Sequence, residues 1–290
     1  MDQRIPLSRF TTIGTGGPAR WLARPESLAE LQDALGWAAA EGVPVEAIGL
    51  GSNVLAHDDG FEALVVKLAG ELAVVRIEGQ ELIAGGGAAN AVCLHRARAA
   101  GLGGLEFASA IPGTTGGGVR MNAGAYGREF RDVLVDAVVV DAAGVRRMTA
   151  DELDLSYRYS NLRAGAVVAE VRLRLEPSSP EAVKSLTAGL LGRRKATQPT
   201  NKRTFGSVFK NPEGSPGAGK MIEDCGLKGH EIGGAVISTR HANFIENGGG
   251  ATSQACLELM AEARRRVHER FGYRLEHEVR FLGPLALPEL

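Results

Sequence analysis

The interpretation of this chain starts from one segment, Ile111-Pro112-Gly113-Thr114-Thr115-Gly116-Gly117-Gly118-Val119-Arg120-Met121-Asn122-Ala123-Gly124-Ala125-Tyr126-Gly127. Its six glycines and one proline exclude an ordinary helix or central strand, because glycine costs conformational entropy in both. Clustered glycines instead let backbone N–H groups approach a ligand closely, and a nest of such groups suits phosphate. The alternative is a flexible surface loop, but the interleaved Val119, Met121 and Tyr126 favour a packed segment.

A second glycine loop, Gly49-Leu50-Gly51-Ser52-Asn53, follows a short apolar run. Ser52 and Asn53 add short hydrogen-bonding side chains beside the backbone donors. Two such loops suggest a ligand with more than one polar group, such as the pyrophosphate of a dinucleotide. Neither this loop nor Gly85-Gly86-Gly87 forms the G-x-G-x-x-G fingerprint, so a Rossmann fold is not indicated.

Bulk composition limits the remaining possibilities. The chain has 290 residues, 44% hydrophobic and 23% charged, which is typical of a folded protein with more than one domain. A net charge of −1 argues against nucleic-acid or anionic-membrane partners, and no apolar run reaches the ~18 residues of a membrane span. The first ten residues lack the apolar run of a signal peptide.

Neither the cysteines nor the histidines have metal-ligand spacing, so no metal site is expected. The cysteines are also too far apart in sequence to indicate a disulfide pair. We expect them to be buried free thiols in a reducing cytosol: Cys93, Cys225 and Cys256.

Hydrophobic periodicity predicts a mixture of helices and strands, and hence an α+β protein. Ser27-x-x-Glu30 is a capping-box pattern that begins a helix over about residues 28–40. A second helix is predicted over about residues 89–100, ending at Gly101. Strands are predicted over about residues 43–50, 63–68, 72–84, 133–141 and 167–175.

The second half of the chain follows a predicted linker, Glu176-Pro177-Ser178-Ser179-Pro180. A late helix is predicted with Thr252 or Ser253 as N-cap and with the apolar face Cys256, Met260, Ala263, Val267 and Phe271. Between Gly192 and Pro212 lie six basic residues and no acidic one: Arg193, Arg194, Lys195, Lys202, Arg203 and Lys210. Such a run is usually a solvated face.

Seven segments resemble, in order, those of the UDP-N-acetylenolpyruvoylglucosamine reductase (MurB) family. They are Thr11–Ala19, Gly49–Leu55, Ile111–Gly127, Tyr157–Ser160, Gly206–Pro212, His241–Ile245 and Leu275–Arg280. The resemblance covers about residues 10–283. The short separation of Arg158 and Ser207 is similar to the family's shorter second type, which lacks an inserted loop with a substrate-contacting tyrosine. His277 stands where the family often has proline.

The resemblance implies an FAD-binding fold of the vanillyl-alcohol-oxidase type, with two α+β subdomains, and a C-terminal α+β substrate-binding domain. We expect the FAD-binding region at residues 1–178, with subdomains at about 1–60 and 61–178. The substrate-binding domain is expected at residues 179–290, with its C-terminal strand returning to the active site.

The implied activity is that of a cytoplasmic, monomeric, FAD-dependent oxidoreductase that uses NADPH. It reduces the enolpyruvyl group of UDP-N-acetylglucosamine enolpyruvate to UDP-N-acetylmuramate. That reaction belongs to peptidoglycan synthesis, and hence to cell wall biogenesis, cell shape and cell division.

By resemblance, three residues carry the chemistry. Arg158 is the partner of the substrate carboxylate, which a planar guanidinium can hold with two parallel hydrogen bonds. Ser207 is the general acid that protonates C2, while reduced flavin delivers hydride to C3. Glu278 lies on the far side of the carboxylate, where a protonated glutamate could donate a hydrogen bond. From the residues alone, the alternatives are a structural salt bridge, a turn serine and a strand-surface glutamate.

The resemblance also implies contacts with FAD at Gly49, Gly51, Ser52, Asn53, Val54, Leu55, Ile111, Pro112, Gly113, Thr114, Gly116, Gly117, Asn122, Ala123 and Gly124. Substrate contacts are expected at Lys210, Asn211, Lys220 and Asn243, although a local turn role is an equal alternative for Asn243. Some of the basic residues between Gly192 and Pro212, together with Lys220, are hypothesised to attract the UDP diphosphate.

Two other functions stay open at this point. An FAD-linked oxidase on the same fold would use O₂ as acceptor and needs no proton-donating serine. A flavin- or nucleotide-binding module for sensing would hold flavin that NADPH does not reduce.

Overall fold

The computed structural model describes residues 1–290, which form two compact units. Unit 1 comprises residues 1–3, 21–50 and 63–194, and unit 2 comprises residues 4–20, 51–62 and 195–290. Each unit is therefore built from separate stretches of the chain. The domain limits expected at residues 60 and 178 stay a prediction, because compactness does not show which stretches fold independently.

The helices are α1 (Leu28–Ala40), α2 (Asn90–Ala99), α3 (Thr115–Arg120), α4 (Pro180–Thr197), α5 (Ala218–Asp224) and α6 (Ser253–Phe271). The first strands are β1 (Asp2–Pro6), β2 (Pro18–Ala23), β3 (Val45–Ala47), β4 (Val54–Ala56), β5 (Phe61–Val66), β6 (Val75–Glu78), β7 (Glu81–Gly85), β8 (Leu102–Gly103), β9 (Gly124–Ala125) and β10 (Arg128–Glu129). The others are β11 (Leu134–Asp141), β12 (Gly144–Thr149), β13 (Val167–Arg174), β14 (Glu176–Pro177), β15 (Thr204–Ser207), β16 (Glu231–Ile232), β17 (Ala235–Ile237), β18 (Phe244–Asn247) and β19 (Arg280–Leu282).

The centre of unit 1 is a five-stranded antiparallel sheet in the order β12-β11-β13-β7-β6. In its central strand, Val171 pairs with Ala137 on one side and with Ala84 on the other. The predicted alternation along β13 is confirmed, since Val171 and Leu173 are fully buried and Arg172 between them is partly exposed. The buried face packs against α2. The Gly86 N–H donates to Ala169 O of β13 at 2.7 Å, which ties the glycine loop after β7 to the sheet.

Helix α1 spans the predicted residues, and its cap explains where it begins. The Ser27 hydroxyl accepts the Glu30 N–H at 3.3 Å, as a capping residue does. The Glu30 carboxylate accepts the N–H of Glu26 at 2.9 Å rather than that of Ser27, so the reciprocal bond is shifted by one residue. Helix α2 ends before Gly101, whose φ of +69° fits the predicted stop.

The glycine-rich segment contains a short helix, so the prediction that excluded one is wrong. Helix α3 carries glycines because its neighbours leave no room for side chains. A Cβ on Gly116 would lie 2.8 Å from the carbonyl oxygen of Gly86, and one on Gly118 would lie 2.4 Å from the Phe130 ring. Close packing therefore outweighs the poor helix propensity of glycine. The segment is packed as predicted, with Val119 fully buried.

Three further expectations are wrong in detail. Residues 72–84 form a 3-10 turn and the hairpin β6–β7, which reverses at Gly79 with a φ of +61°. The strand expected over residues 43–50 is limited to β3. The expected linker is ordered, because Glu176 and Pro177 pair with β8 and Pro180 begins α4.

Unit 2 is built on the antiparallel sheet β15-β18-β17-β16 and on helix α6, which share one core. The Thr252 hydroxyl caps α6 by accepting the Ala255 N–H at 3.0 Å, which confirms one of the two predicted caps. The predicted apolar face is confirmed, since these residues pack in the core: Cys256, Met260, Ala263, Val267 and Phe271. A separate parallel pair joins β4 to β19, with Val54 opposite Arg280.

All three cysteines are free thiols. Burial raises the pKa of Cys93 to about 12, and that of Cys256 also to about 12, whereas Cys225 is partly exposed. None of the helices has both the length and the apolar composition that crossing a membrane requires. No group of three or more His, Cys, Asp or Glu side chains is arranged to hold a metal ion.

Candidate active site

Unit 1 contains a cleft of about 80 Å³, and five of its fifteen lining residues are glycines. Its lining includes two cations and residues of three glycine loops, among them Gly49, Gly86, Gly116, Gly117, Lys67 and Arg120. The fold thus brings together part of the two loops that the sequence singles out, and adds a third.

Hydrogen bonds inside the protein hold the walls of this cleft in place. The Gly116 N–H donates to Gly86 O at 2.9 Å, and the Thr115 hydroxyl donates to Gly85 O at 2.8 Å. The Thr114 hydroxyl accepts the Gly117 N–H at 3.4 Å and so caps α3. The walls are therefore arranged by contacts within the protein itself.

A side chain at Gly49 would displace Thr114, because a Cβ there would lie 2.6 Å from the Thr114 Oγ1 that caps α3. Lys67 Nζ donates to the Gly49 carbonyl oxygen at 2.6 Å. Burial lowers the pKa of Lys67 from its ordinary value of 10.5, and the nearby Arg24 lowers it further. With Arg120 as a second cation, the cleft combines positive charge with glycine positions that have no side chain, so a phosphate group can approach closely.

Two asparagines anchor the rest of segment 111–124. Asn90 holds its start, donating from Nδ2 to Ile111 O at 3.1 Å and from its N–H to Gly113 O at 3.0 Å. Asn122 is fully buried and holds the end, donating to Ser156 O at 3.0 Å. The visible role of the Asn122 side chain is therefore to fold the segment. Of three further expected contacts in the segment, Pro112 is exposed, and Ala123 and Gly124 are half-buried.

The second expected cofactor loop, residues 51–55, lies in unit 2. Gly51 has a φ of +67°, and a Cβ there would lie 1.8 Å from the carbonyl oxygen of Phe10, so only glycine fits. The Asn53 amide donates to Glu278 O at 3.1 Å. Ser52 is half-buried. The side chains of the next two residues are buried in unit 2: Val54 and Leu55.

Arg158 lies in unit 1, in a tight turn with left-handed backbone. Its φ is +57°, and a bridge between Ser156 and Tyr159 closes the turn. Its Nη2 donates to Gly124 O at 3.0 Å, and its guanidinium lies 5.0 Å from the centroid of the Tyr157 ring. A left-handed residue other than glycine costs about 1–3 kcal/mol, and such strain concentrates at functional sites.

Ser207 and Glu278 lie on neighbouring backbones of unit 2. Ser207 is the last residue of β15, after a shift in the register of that strand. The Glu278 N–H donates to Val208 O at 2.8 Å, and the Lys210 N–H donates to Glu276 O at 2.9 Å. This antiparallel pairing places Glu278 beside the residue that follows Ser207. Both expected catalytic residues of this unit are half-buried.

Three of the expected substrate residues already have partners in unit 2. Lys210 Nζ lies 3.3 Å from a carboxylate oxygen of Glu276, and Lys220 forms an ion pair with Asp224 within α5. The Asn211 side-chain oxygen accepts the N–H of the first residue of α5 at 2.9 Å. Lys220 and Asn211 therefore both lie at α5.

Asn243 is almost completely buried and bonded on both sides to one neighbour. Its side-chain oxygen accepts the Phe209 N–H at 2.9 Å, and its amide donates to Phe209 O at 2.8 Å. The asparagine side chain thus extends the backbone pairing at Phe209. This geometry favours the local structural role that the sequence leaves open for Asn243.

In the basic run between Gly192 and Pro212, Arg194 and Lys210 are half-buried and the other four cations are exposed. Arg193 and Arg194 belong to unit 1, and the other four cations belong to unit 2. The Arg193 guanidinium lies 5.0 Å from the centroid of the Tyr126 ring, and burial lowers the pKa of Arg194. The run is therefore divided between different surroundings.

Comparison with known proteins decides the family. Residues 19–150 match the FAD binding domain family, and residues 198–282 match the C-terminal domain of UDP-N-acetylenolpyruvoylglucosamine reductase. The chain is 43% identical over 280 residues to UDP-N-acetylenolpyruvoylglucosamine reductase 2 of Symbiobacterium thermophilum, covering 96% of this chain and 91% of that protein. It is 44% identical over 280 residues to the reductase of Rubrobacter xylanophilus, covering 96% and 94%. This chain belongs to the UDP-N-acetylenolpyruvoylglucosamine reductase family.

A solved structure agrees with this assignment to the reductase family. The crystal structure of the reductase (MurB) from Thermus caldophilus matches with a TM-score of 0.85 at 36% identity, covering 97% of this chain and 98% of that one. The predicted family, the α+β FAD-binding fold and the FAD-linked oxidoreductase function are confirmed.

The cleft of unit 1 fits the diphosphate of FAD. Its glycine backbone admits close approach, and two cations balance the charge of a diphosphate. The sequence does not single out Lys67 or Arg120, because a lone cation after a strand or inside a glycine run has no periodic signal. The sequence also gives no reason to select Gly85–Gly87, because this segment does not match the G-x-G-x-x-G fingerprint.

Proposed function

We propose that this member of the reductase family reduces UDP-N-acetylglucosamine enolpyruvate to UDP-N-acetylmuramate, with NADPH as reductant. The observation that carries the proposal is similarity over at least 96% of the chain to enzymes named for that reductase. The reaction adds hydride to C3 and a proton to C2, and NADPH leaves as NADP⁺. When bound, FAD supplies the transfer of that hydride from NADPH to the substrate.

Arg158 binds the substrate carboxylate in this proposal. Negative charge grows on that carboxylate as hydride reaches the conjugated C3. A guanidinium with two parallel N–H donors therefore stabilises the transition state more than the starting alkene. The turn around Arg158 and its bond to Gly124 O hold the guanidinium in one orientation before substrate binds.

Ser207 donates the proton to C2. A serine hydroxyl is a weak acid, so it transfers its proton only to the strongly basic, enolate-like centre that hydride addition creates. The backbone on its C-terminal side is fixed by two bonds, since Val208 donates to Asn243 O at 2.9 Å and accepts from Glu278. This support restricts where the hydroxyl can reach.

Glu278 donates a hydrogen bond to the same carboxylate through a protonated carboxyl group. Its backbone is held on both sides, because its N–H donates to Val208 at 2.8 Å and its carbonyl accepts from Asn53 at 3.1 Å. The carboxyl group can therefore move only about the bonds of its own side chain.

Lys210 and Lys220 bind the diphosphate of the substrate. Their present partners, Glu276 and Asp224, form exposed ion pairs with them, and such pairs contribute only about 0–1 kcal/mol each. A diphosphate carries more charge than one carboxylate and can replace either partner. Asn243 acts indirectly, by holding the backbone next to Lys210.

The deciding experiment follows the colour of the purified holoenzyme without oxygen. NADPH should bleach the yellow flavin, and UDP-N-acetylglucosamine enolpyruvate should restore the colour within the turnover time. If the enolpyruvyl substrate fails to restore the colour and O₂ admitted afterwards restores it, the result would instead support the oxidase. Flavin that NADPH leaves yellow would support a sensing module. We also propose that the reaction takes place in the cytoplasm and that the protein is a monomer. Light scattering of the holoenzyme tests the monomeric state.

A further inference from the structure

The side chain of His277 spans the neighbouring residue, Glu278. Nδ1 of His277 lies 2.7 Å from the carbonyl oxygen of Val279. A carbonyl oxygen can only accept a hydrogen bond, so Nδ1 must be the nitrogen that carries hydrogen. The bond closes a ring that contains the whole backbone of Glu278, and this limits the torsion angles which that residue can adopt.

Two further contacts hold the imidazole in place. The ring stacks on Phe281, with centroids 4.2 Å apart and planes inclined by 8°. The backbone of His277 also pairs with that of Phe209 across an isolated antiparallel bridge. The hydrogen bonds of this bridge use the N–H of Glu278 and the carbonyl of Glu276, so they do not need the N–H of His277.

We propose that His277 is a positioning residue for Glu278, acting through the hydrogen bond to Val279 O. The inference rests on the catalytic role proposed above for Glu278. The histidine stiffens this stretch through its side-chain bond, while the bridge to Phe209 leaves the His277 N–H unused.

The hydrogen bond from His277 to Val279 O can be tested without measuring activity. Free histidine in its neutral form prefers hydrogen on Nε2, whereas His277 should carry it on Nδ1. The ¹⁵N spectrum of holoenzyme labelled in its histidines should show one imidazole in this minor form at about pH 8. Its signal should disappear in the His277→Asn variant. A spectrum in which His277 carries its hydrogen on Nε2 overturns the proposal.

Three variants separate the hydrogen bond from the stacking. His277→Asn places an amide nitrogen close to where Nδ1 lies and keeps the bond. His277→Gln reaches only the position of Nε2 and loses the bond, and His277→Phe keeps the stacking alone. We expect kcat to fall about three- to tenfold in the Gln and Phe variants, the range that one lost hydrogen bond corresponds to, and to stay within about twofold in the Asn variant. KM for the enolpyruvyl substrate, flavin content and the thermal midpoint should not change.

Glu278→Gln completes the set, because it tests the role on which the inference rests. A slow Glu278→Gln variant beside an unimpaired His277→Phe variant rejects the positioning role alone. A Glu278→Gln variant with normal turnover rejects the proposed role of Glu278 itself. A lower kcat, a higher KM and a lower thermal midpoint in all three His277 variants would show general structural damage and overturn the inference.

Discussion

Replacing Gly118 with alanine tests whether the glycines of α3 serve packing. The added Cβ would lie 2.4 Å from Cζ and 2.5 Å from Cε2 of Phe130. That ring is fully buried and touches Phe107 edge-on, with centroids 5.9 Å apart, so it cannot move aside freely. Overpacking of this kind costs about 1–3 kcal/mol. Alanine gains about 1 kcal/mol over glycine in a helix, which offsets part of that cost.

Gly189 in α4 provides the matched control, because a Cβ there has nothing within 4 Å. Gly189→Ala gains the helix preference without the clash, so the difference between the two variants isolates the overpacking. We expect Gly118→Ala to be about 1–3 kcal/mol less stable than Gly189→Ala in urea unfolding of the apoprotein, followed by circular dichroism.

A second substitution identifies the clashing group. Phe130→Leu should lessen the cost of Gly118→Ala, with a coupling free energy of about 1 kcal/mol in a double-mutant cycle. Equal stability of the two alanine variants, or additive effects in the cycle, would refute the packing argument for α3.

Three other predictions concern the site and its surroundings. Arg158→Lys keeps the charge but loses the paired donors, so kcat should fall about a hundredfold with FAD still bound; steady-state assays that find normal turnover would reject carboxylate binding by Arg158. Ser207→Ala should lower kcat by about 10²–10⁴-fold and leave flavin bleaching by NADPH unchanged in stopped flow, whereas slowed bleaching would contradict a role limited to proton transfer. Burial, followed by Lys228, holds the pKa of His241 below its ordinary value of 6.5, so below pH 6.5 this residue binds more protons in the unfolded chain than in the folded one. The free energy of unfolding should therefore fall as the pH drops below that value, and urea titrations should find a smaller fall in His241→Gln; the same fall in both proteins would count against this.

Elements with local signals could be predicted from the sequence. Helices α1 and α6 agree with prediction because their apolar residues recur at helical spacing and a hydroxyl caps each one, Ser27 in the first and Thr252 in the second. Both signals lie within a few residues of the element itself. The family also follows from sequence, since its motifs extend over nearly the whole chain.

Features that depend on a distant neighbour could not be predicted. Gly118 marks a helix rather than a loop only because the Phe130 ring fills the space beside it, and no local pattern reveals that partner. The place of Lys67 in the cleft could not be predicted either, because its amine bonds to a carbonyl 18 residues earlier in the chain. Asn243 shows the opposite error. Asparagine is a residue type that can bind a ligand, but here both polar atoms of its side chain bond to the backbone of Phe209.

The parallel pairing of β4 with β19 has a consequence for biosynthesis. Residues 54–56 leave the ribosome long before their partners at 280–282 exist. At about 5–20 residues per second, β4 waits roughly 10–45 s for the strand that completes it. A nascent chain released before residue 280 lacks that strand, so the buried Leu55 would have no partner strand beside it. Premature termination therefore exposes an apolar edge to chaperones and proteases instead of yielding a shortened enzyme.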